Sequence, residues 1–407
     1  MTLLRRFLGF GSVPLLAFIA PLFLLPVVSR IAGTDGWAAI GSAQAVGTFV
    51  AMIASFGWNV NGGAIVALAG SDERRSTVYA DSFWSRLAVL LVVGAIGAAV
   101  SAALAPTGYA LLSAFVTVAT GVAALTVTWY AVGAGTPRVV LYYEALPITL
   151  SVACALPVLL LTSNLYFYPF FTLLGWVTGL TMLHRNMYGR LLPPLQLARV
   201  RGVFRSNLAI ALADGAGGSY TSAPIPIAQG TIGVGAAAGL TSADKIYRVA
   251  LVAVTVLSNA LQHWVLERDY SDGRLRRHAV SLSLHLALAV VGGTLLYALG
   301  PAVTSIVLGA EVAADHAVFA GYAVTFAIIS MTTPIIRNIL VPAGANRVVL
   351  IAILGAAVVG LPMMFVGSAQ GAAGVVLGLA LSELVVLAVV GFAATRILLS
   401  EYRGQRR

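Results

Sequence analysis

Three charged residues lie close together inside an apolar stretch of the sequence: Asp244, Lys245 and Arg248. The spacing of Asp244 and Arg248 places both on one face of a helix, where they could form an ion pair that satisfies both charges. Lys245 has no such partner in the sequence. The alternative is that Lys245 and Arg248 line a cavity and attract an anionic group, and that Asp244 contributes to ion coupling.

Three more carboxylates lie in apolar surroundings. Asp214 precedes the run GAGGS at 215–219, and Pro224 follows a few residues later. This pattern predicts a helix that bends or unwinds beside a carboxylate, as transporter helices do at ion or substrate sites, although close helix packing would also explain the glycines. Asp214 could bind a proton or Na⁺. Glu144 and Glu383 are secondary candidates, which could instead pair with an arginine or reach the membrane interface.

Uncharged polar residues repeat this pattern in the first half of the chain. A shift of 200 residues places residues 44, 48, 55 and 59 over residues 244, 248, 255 and 259, and spacings of four, seven and four put each set on one helical face. The preceding segments, 33–36 and 230–233, match at a shift of 197. Such a face in a membrane needs a water-filled cavity or a partner helix. We therefore predict that Gln44, Asn59 and Asn259 contact a substrate; hydrogen bonding between helices is the alternative.

No cofactor is expected from the sequence beyond a coupling ion, H⁺ or Na⁺. Lys245 is the only lysine and follows Asp244, so it cannot complete a Walker A loop, and Cys154 is the only cysteine. No set of His, Cys, Asp and Glu has the spacing of a metal site. His184 and His278 lie among arginines, which favours solvated side chains, whereas His285 is typical of a hydrogen-bonded packing residue.

The composition indicates that these residues belong to a membrane protein. The chain has 407 residues, of which 59% are hydrophobic and only 9% charged, which excludes an ordinary soluble domain and a disordered chain. The net charge of +10 would suggest nucleic acid in a soluble protein, but the positive-inside rule explains it in a membrane protein, so no nucleic-acid partner is expected.

Twelve apolar segments are long enough to cross a bilayer as helices. They span residues 7–29, 38–61, 87–105, 109–131, 139–162, 165–183, 208–227, 243–266, 279–299, 317–336, 348–366 and 373–394. With both termini in the cytoplasm, every second connection is cytoplasmic, and 21 of the 24 basic residues, Arg86 among them, fall in cytoplasmic segments. The three remaining are Arg30, in an outer connection, and Lys245 and Arg248.

The longest polar connection, residues 184–205, lies at the middle of the chain and contains a Pro-Pro pair. It predicts two bundles of six helices, residues 1–198 and 199–407, related as parallel repeats. The predicted fold is thus an all-α polytopic membrane protein of twelve transmembrane helices in two pseudo-symmetric six-helix bundles.

Short motifs in both halves resemble a known family. They are Pro21 and Pro26, the segments 30–36 (RIAGTDG), 41–44 and 56–59 (FGWN), and the segment 242–248 (SADKIYR). These resemble the polysaccharide (O-antigen, Wzx-type) flippases of the multidrug/oligosaccharidyl-lipid/polysaccharide exporter superfamily, and with the topology the resemblance spans essentially the whole chain.

The resemblance implies a V-shaped pair of bundles in the cytoplasmic membrane that moves a polyprenyl-diphosphate-linked oligosaccharide to the outer leaflet by alternating access. The glycan would cross a polar cavity and the lipid tail would stay in the bilayer. Lys245 and Arg248, with Arg30 at the outer mouth, would meet the diphosphate. Asp214, Asp244 and Glu144 are the ion-coupling candidates. A polysaccharide polymerase and glycosyltransferases are the expected protein partners.

Two other functions remain open at this point. A drug/cation antiporter of the same superfamily would share the fold and topology. A membrane enzyme such as a glycan polymerase or acyltransferase would normally have a large outer loop or a clustered His/Asp site, and neither is present in the sequence, so we predict a transporter and not an enzyme.

Overall fold

The computed structural model describes residues 23–267 and 274–405, and within these residues all regular structure is helical. The α-helices are α1 (Leu25–Ser55), α2 (Trp58–Ala67), α3 (Asp72–Leu104), α4 (Ala110–Gly121), α5 (Thr128–Ala134), α6 (Pro137–Val140), α7 (Leu146–Thr162), α8 (Phe167–Tyr188), α9 (Leu197–Ser222), α10 (Pro224–Thr231), α11 (Val234–Leu266), α12 (Arg274–Leu308), α13 (His316–Ile335), α14 (Asn346–Gly367) and α15 (Ala372–Gln405). Two π-helical segments, Leu141–Ala145 and Ile336–Leu340, and a 3₁₀ segment, Val122–Leu125, connect some of them.

Nine helical segments among the described residues are long and apolar enough to cross a membrane. They are Leu25–Ala67, Asp72–Leu104, Ala110–Ala134, Pro137–Thr162, Val234–Leu266, Leu275–Leu308, His316–Leu340, Asn346–Gln370 and Ala372–Leu399. The predicted spans 165–183 and 208–227 are helical but fall outside these nine. Most of the first predicted span, 7–29, lies outside the described residues. The all-helical membrane fold is confirmed; the count of twelve and the cytoplasmic termini stay predictions.

The connection between the first two predicted spans is shorter than expected. Residues 30–37 were predicted as an outer connection, but helix continues on both sides of Gly33, which alone has non-helical angles (φ 59°, ψ −168°). A positive φ with extended ψ is readily accessible only to glycine. The predicted outer connection was wrong, because the chain leaves the helical conformation only at Gly33.

The second half has the same break at the same shift. Gly233 has φ 123° and ψ −176° and immediately precedes α11, so α11 begins nine residues before the predicted residue 243. Gly233 therefore corresponds to Gly33 at the shift of 200, and the predicted shift of 197 for these segments was wrong. Buried positions match at the same shift: Ala38 and Ala238, Ile40 and Leu240, and Ala43 and Ala243 are all 0% exposed. The similarity of α1 and α11 thus extends from the sequence to the backbone break and to the buried positions.

The repeat ends where α1 ends. Phe56 and Gly57 both have left-handed backbone angles (φ 48° and 75°), so the chain turns after Ser55 and Asn59 belongs to the separate helix α2. In the second half, α11 continues through Thr255 and Asn259 without a break. The predicted common face of residues 44, 48, 55 and 59 was therefore wrong, whereas the corresponding residues of α11 do share one helix.

The glycine run after Asp214 does not unwind its helix. α9 continues through residues 215–218 and ends at Ser222, just before Pro224. A Cβ atom on Gly218 would lie 3.2 Å from Cβ of Met52 and 3.3 Å from Cδ2 of Phe49. The absence of a side chain thus allows close packing against α1, and the predicted bend at Asp214 was wrong.

The chain forms two compact units, the first ending at Gly218 and the second beginning at Ser219, within α9. The predicted boundary at 198/199 stays a prediction. The first unit has an aromatic core in which the rings of Trp58 and Trp129 lie 5.1 Å apart and Tyr79 contacts Tyr130 edge to face.

Two residues predicted to be solvated lie in this core. Arg86 is 0% exposed, because α3 begins at Asp72 and places residue 86 well inside the helix. His184 is buried between Tyr79 Oη, at 3.0 Å, and the Leu191 carbonyl, at 2.9 Å. The assignments of both to the cytoplasmic surface were wrong, as was that of His278, which is 3% exposed. The packing role predicted for His285 is confirmed by its bonds to Ser258 and Ser281.

Candidate functional site

The charged cluster predicted on α11 is present in the second unit. Arg248 Nε donates to Asp244 Oδ2 at 2.7 Å, so the i,i+4 ion pair forms. Asp244 is 7% exposed, whereas the Arg248 side chain is 37% exposed. The pair uses only Nε, and the terminal nitrogens of Arg248 make no hydrogen bond with any described residue. The carboxylate therefore fixes the guanidinium and leaves its outer fork available to a ligand.

Lys245 adds a second cation next to this pair. It is partly buried, and it makes no hydrogen bond or ion pair with the described residues. Two buried tyrosines lie beside the cluster, Tyr247 and Tyr322, whose ring centroids are 4.7 Å apart. The Tyr322 hydroxyl is buried without a hydrogen-bond partner in the described chain. We call Asp244, Lys245, Arg248, Tyr247 and Tyr322 the α11 cluster.

Glu383, a secondary candidate in the sequence analysis, also lies in the second unit. It is on α15, is 7% exposed, and is hydrogen-bonded to the Tyr220 hydroxyl at the end of α9. Tyr220 is itself buried. The only sequence signal for this pair was an isolated glutamate in an apolar helix.

A second cluster lies in the first unit, where the helix formed by α4, the 3₁₀ segment and α5 is interrupted at Thr126. Glu144, in the π-helical segment Leu141–Ala145, accepts hydrogen bonds from Thr126 Oγ1 at 2.8 Å, from the Val127 backbone N–H at 3.0 Å and from Thr128 Oγ1 at 3.4 Å. The carboxylate thus satisfies the Val127 N–H, which the interruption leaves without a helical partner, and also accepts from the two threonine hydroxyls.

Arg86 satisfies the acceptors of the same interruption. Its Nη1 donates to the carbonyls of Ala124 and Thr126, both at 2.8 Å, and its guanidinium lies 5.4 Å from the centroid of the Trp129 ring. Its Nη2 is buried without a partner in the described residues. Arg86, Thr126, Thr128 and Glu144 form what we call the helix-break cluster. Sequence analysis missed Arg86 because it counted it among the surface arginines.

Two cavities in the first unit contain predicted substrate residues. Asn59 lines a cavity of about 510 Å³ together with Thr126, Thr128 and Trp129, so Asn59 and the helix-break cluster adjoin one space. Gln44 lines a separate cavity of about 220 Å³, where its Nε2 donates to Tyr168 Oη at 2.6 Å.

The remaining candidates lie apart from these groups. Arg30 is exposed on α1 and its Nη1 donates to the Pro26 carbonyl at 2.9 Å. Asp214 is partly buried on α9 and makes no hydrogen bond or ion pair with a described residue, and Asn259 is exposed on α11. Within residues 23–267 and 274–405, no group of His, Cys, Asp and Glu has the arrangement of a metal site.

Comparisons with known proteins identify the fold. No protein-family model and no curated protein matches the sequence. Among solved structures, a multidrug resistance MATE family transporter of the MOP superfamily in an inward-facing conformation is similar, with a TM-score of 0.64, 14% identity, and coverage of 96% of this chain and 99% of that one. A MATE protein in a bent conformation has a TM-score of 0.55, 13% identity, and coverage of 99% and 95%.

A third similar structure is the MATE transporter ClbM in complex with Rb⁺, with a TM-score of 0.50, 16% identity, and coverage of 95% and 92%. At these identities the likeness concerns the fold alone. The chain has the helical membrane fold of MATE transporters of the MOP superfamily over nearly its whole length.

Proposed function

We propose that the chain is a membrane transporter that moves a polyprenyl-diphosphate-linked oligosaccharide across the cytoplasmic membrane by alternating access, for the synthesis of cell-surface polysaccharide. The observation that carries this proposal is the α11 cluster. Its carboxylate engages Arg248 through Nε alone, and both the outer guanidinium nitrogens and Lys245 are left without protein partners among the described residues.

The charge of the cluster suits an anionic group. Lys245 and Arg248 contribute two positive charges and Asp244 one negative charge, so the cluster is net positive by one. Charge-assisted bonds from a guanidinium or ammonium to phosphate oxygens are the stronger class of hydrogen bond, and the guanidinium fork matches phosphate geometry. A diphosphate is therefore the part of the substrate that we assign to this cluster.

Energy for transport would come from the membrane. An inside-negative potential favours outward movement of an anion by about 2.3 kcal/mol per charge per 100 mV. Coupling to H⁺ or Na⁺ through Asp214, Asp244 or Glu144 would add to this. The lipid tail would remain in the bilayer. Glycosyltransferases would act before the transport step and a polysaccharide polymerase after it.

The test is transport by the purified full chain in proteoliposomes, with a labelled polyprenyl-diphosphate oligosaccharide. We expect Lys245→Ala and Arg248→Ala each to lower the rate roughly 10-fold or more, because a hydrogen bond to a charged group contributes about 1.5–3 kcal/mol. Arg347→Ala is the matched control, because it removes an exposed arginine near the predicted cytoplasmic surface. Unchanged transport in both cluster variants would refute the diphosphate role.

A drug/cation antiporter is the second candidate, because the structural neighbours include a multidrug resistance transporter and a transporter bound to Rb⁺. The net positive α11 cluster is a poor site for a cationic drug. Efflux of a lipophilic cationic dye from loaded proteoliposomes, with no movement of lipid-linked oligosaccharide, would favour the antiporter over the flippase.

A further inference from the structure

The solvent-accessible surface of α11 consists of two faces of different polarity. Each residue turns a helix by about 100°, so residues three, four or seven apart share a face. The polar face contains Arg248, Thr255, Asn259 and Gln262, with Leu251 and Val252 between the first two. The apolar face contains Val249, Ala253, Val256, Ala260 and Trp264, all exposed. Hydrocarbon can cover the apolar face but cannot satisfy amide and guanidinium groups, so the polar face needs water or a ligand.

Arg337 lies at the C-terminal end of this polar face. It belongs to the π-helical segment Ile336–Leu340, which follows α13. Its Nη2 donates to Gln262 Oε1 on α11 at 3.2 Å. The bond joins the C-terminal ends of α11 and α13, and the predicted topology places both ends at the cytoplasmic side. Arg337 is therefore held against the polar face by an uncharged partner, unlike an arginine that extends freely into solvent.

The guanidinium of Arg337 keeps donors available for a ligand. Its Nε and Nη1 make no hydrogen bond with a described residue, and neither nitrogen is buried. No described carboxylate forms an ion pair with Arg337. The carboxylate that follows α11, Glu267, lies 3.5 Å from Nη1 of Arg277 instead. Arg337 thus offers an uncompensated positive charge and accessible N–H groups, which suit an anion that carries oxygen acceptors.

The polar face separates Arg337 from the α11 cluster by more than the length of one diphosphate. Gln262 follows Arg248 by 14 residues on the same helix, which is about 21 Å along the axis at a rise of about 1.5 Å per residue. One diphosphate cannot contact both arginines at the same time. Asn259 is exposed between them, and its amide can donate to a phosphate oxygen. The two arginines are therefore two successive sites on one face.

We infer that Arg337, held by Gln262, is the first binding site for the diphosphate of the transported substrate, and that the diphosphate then moves past Asn259 to the α11 cluster. The inference rests on the proposed function and adds an entry site at the predicted cytoplasmic end of the second unit. Anionic phospholipids carry the same phosphate chemistry, so the experiment must separate the substrate from the surrounding lipid.

The first test is transport by the full chain in phosphatidylcholine proteoliposomes, with labelled polyprenyl-diphosphate oligosaccharide at increasing mole fraction in the membrane. We expect Arg337→Gln to raise the mole fraction for half-maximal transport roughly 5- to 10-fold, because it removes a partly exposed charge–phosphate contact. The maximal rate should stay close to that of wild type, because an entry site acts on loading. Arg248→Ala should instead lower the maximal rate.

Three further variants control this measurement. Arg337→Lys keeps the charge and should recover most of the loss. Gln262→Met removes the acceptor that holds Arg337 and should raise the half-maximal mole fraction by less than Arg337→Gln does. Arg347→Gln removes an exposed arginine at the same predicted side and should behave as wild type.

The second test measures binding of farnesyl diphosphate to the full chain in phosphatidylcholine nanodiscs, in the Arg248→Ala background, which weakens the α11 cluster. We expect Arg337→Gln to weaken this binding several-fold and to leave binding of farnesol unchanged. A purely structural role of the Arg337–Gln262 bond gives a different result. It would lower the melting temperature in both Arg337→Gln and Gln262→Met without changing the affinity of the folded protein for farnesyl diphosphate, and that result would overturn the inference.

Repeating the transport measurement with phosphatidylglycerol in the vesicles identifies the source of the phosphate. An effect of Arg337→Gln that appears only with phosphatidylglycerol would assign Arg337 to lipid headgroups and overturn the inference. An unchanged half-maximal mole fraction in phosphatidylcholine, or an equal change in Arg347→Gln, would overturn it too. Failure of the proposed function looks different: Lys245→Ala and Arg248→Ala would both leave transport unchanged, or wild type would not move the lipid-linked oligosaccharide.

Discussion

Replacing Arg86 with methionine should destabilise the first unit strongly. Arg86 is fully buried and donates at 2.8 Å to the carbonyls of Ala124 and Thr126, and at 3.3 Å to the carbonyl of Ser82. Methionine fills part of the volume but donates nothing, so the two carbonyls of the interrupted helix lose their partner, at about 1–3 kcal/mol each.

The substitution also removes the cation that borders the same helix interruption as the partly buried Glu144 carboxylate, whose own hydrogen bonds are to Thr126, Val127 and Thr128. The two carbonyls that lose their partner set the magnitude. We therefore expect Arg86→Met to lower the free energy of unfolding by about 2–6 kcal/mol.

A double-mutant cycle separates the charge from the hydrogen bonds. Glu144→Gln keeps the shape and part of the hydrogen bonding but removes the negative charge. If Arg86 neutralises Glu144, the double variant should be more stable than the sum of the single changes predicts, with a coupling of about 1–3 kcal/mol.

The assay is unfolding by SDS in mixed micelles, followed by circular dichroism. Arg138→Met is the control, because the Arg138 side chain is exposed and makes no hydrogen bond with described residues; a surface change of this kind is usually within about 0.5 kcal/mol. A loss below about 1 kcal/mol in Arg86→Met, or additive single effects in the cycle, would refute the reasoning.

Three further predictions concern other parts of the chain. Gly33→Ala and Gly233→Ala should each lower the free energy of unfolding by about 1–2 kcal/mol, because both positions have positive φ. Gly202→Ala, in helix α9, is the control and should not destabilise the protein. The measurement is the melting temperature of each variant relative to the wild type. Tyr168→Phe should cost about 1 kcal/mol through loss of the 2.6 Å bond from Gln44, and an unchanged melting temperature would argue against that bond. Asp214→Asn should weaken the response of transport to an imposed proton or Na⁺ gradient; an equal response in wild type and variant would remove Asp214 from ion coupling.

The sequence predicts the helices of this fold well because apolar segments of the right length have few alternatives in a bilayer. It also predicts the Asp244–Arg248 pair, because i,i+4 neighbours meet on any helix. The shift of 200 residues is confirmed by Gly33 and Gly233, whose backbone angles could not be read from residue types alone.

The helix-break cluster could not be predicted in the same way. Glu144 hydrogen-bonds to Thr126 and Thr128, which lie on another segment where the helix is interrupted. No fixed residue spacing predicts a contact between two separate segments. Arg86 was assigned to the surface because the positive-inside rule counts arginines near the ends of spans. It does not reveal that α3 begins at Asp72 and carries Arg86 into the core.

The two matched helices, α1 and α11, differ in charge although they share a backbone break and a buried face. Residues 44 and 48 are glutamine and threonine in the first helix, and the corresponding residues 244 and 248 are aspartate and arginine. At these two positions the duplicated scaffold thus holds an uncharged copy and a charged copy. A substitution at residue 44 or 48 can therefore change the polarity of the first copy and leave the Asp244–Arg248 ion pair of the second in place.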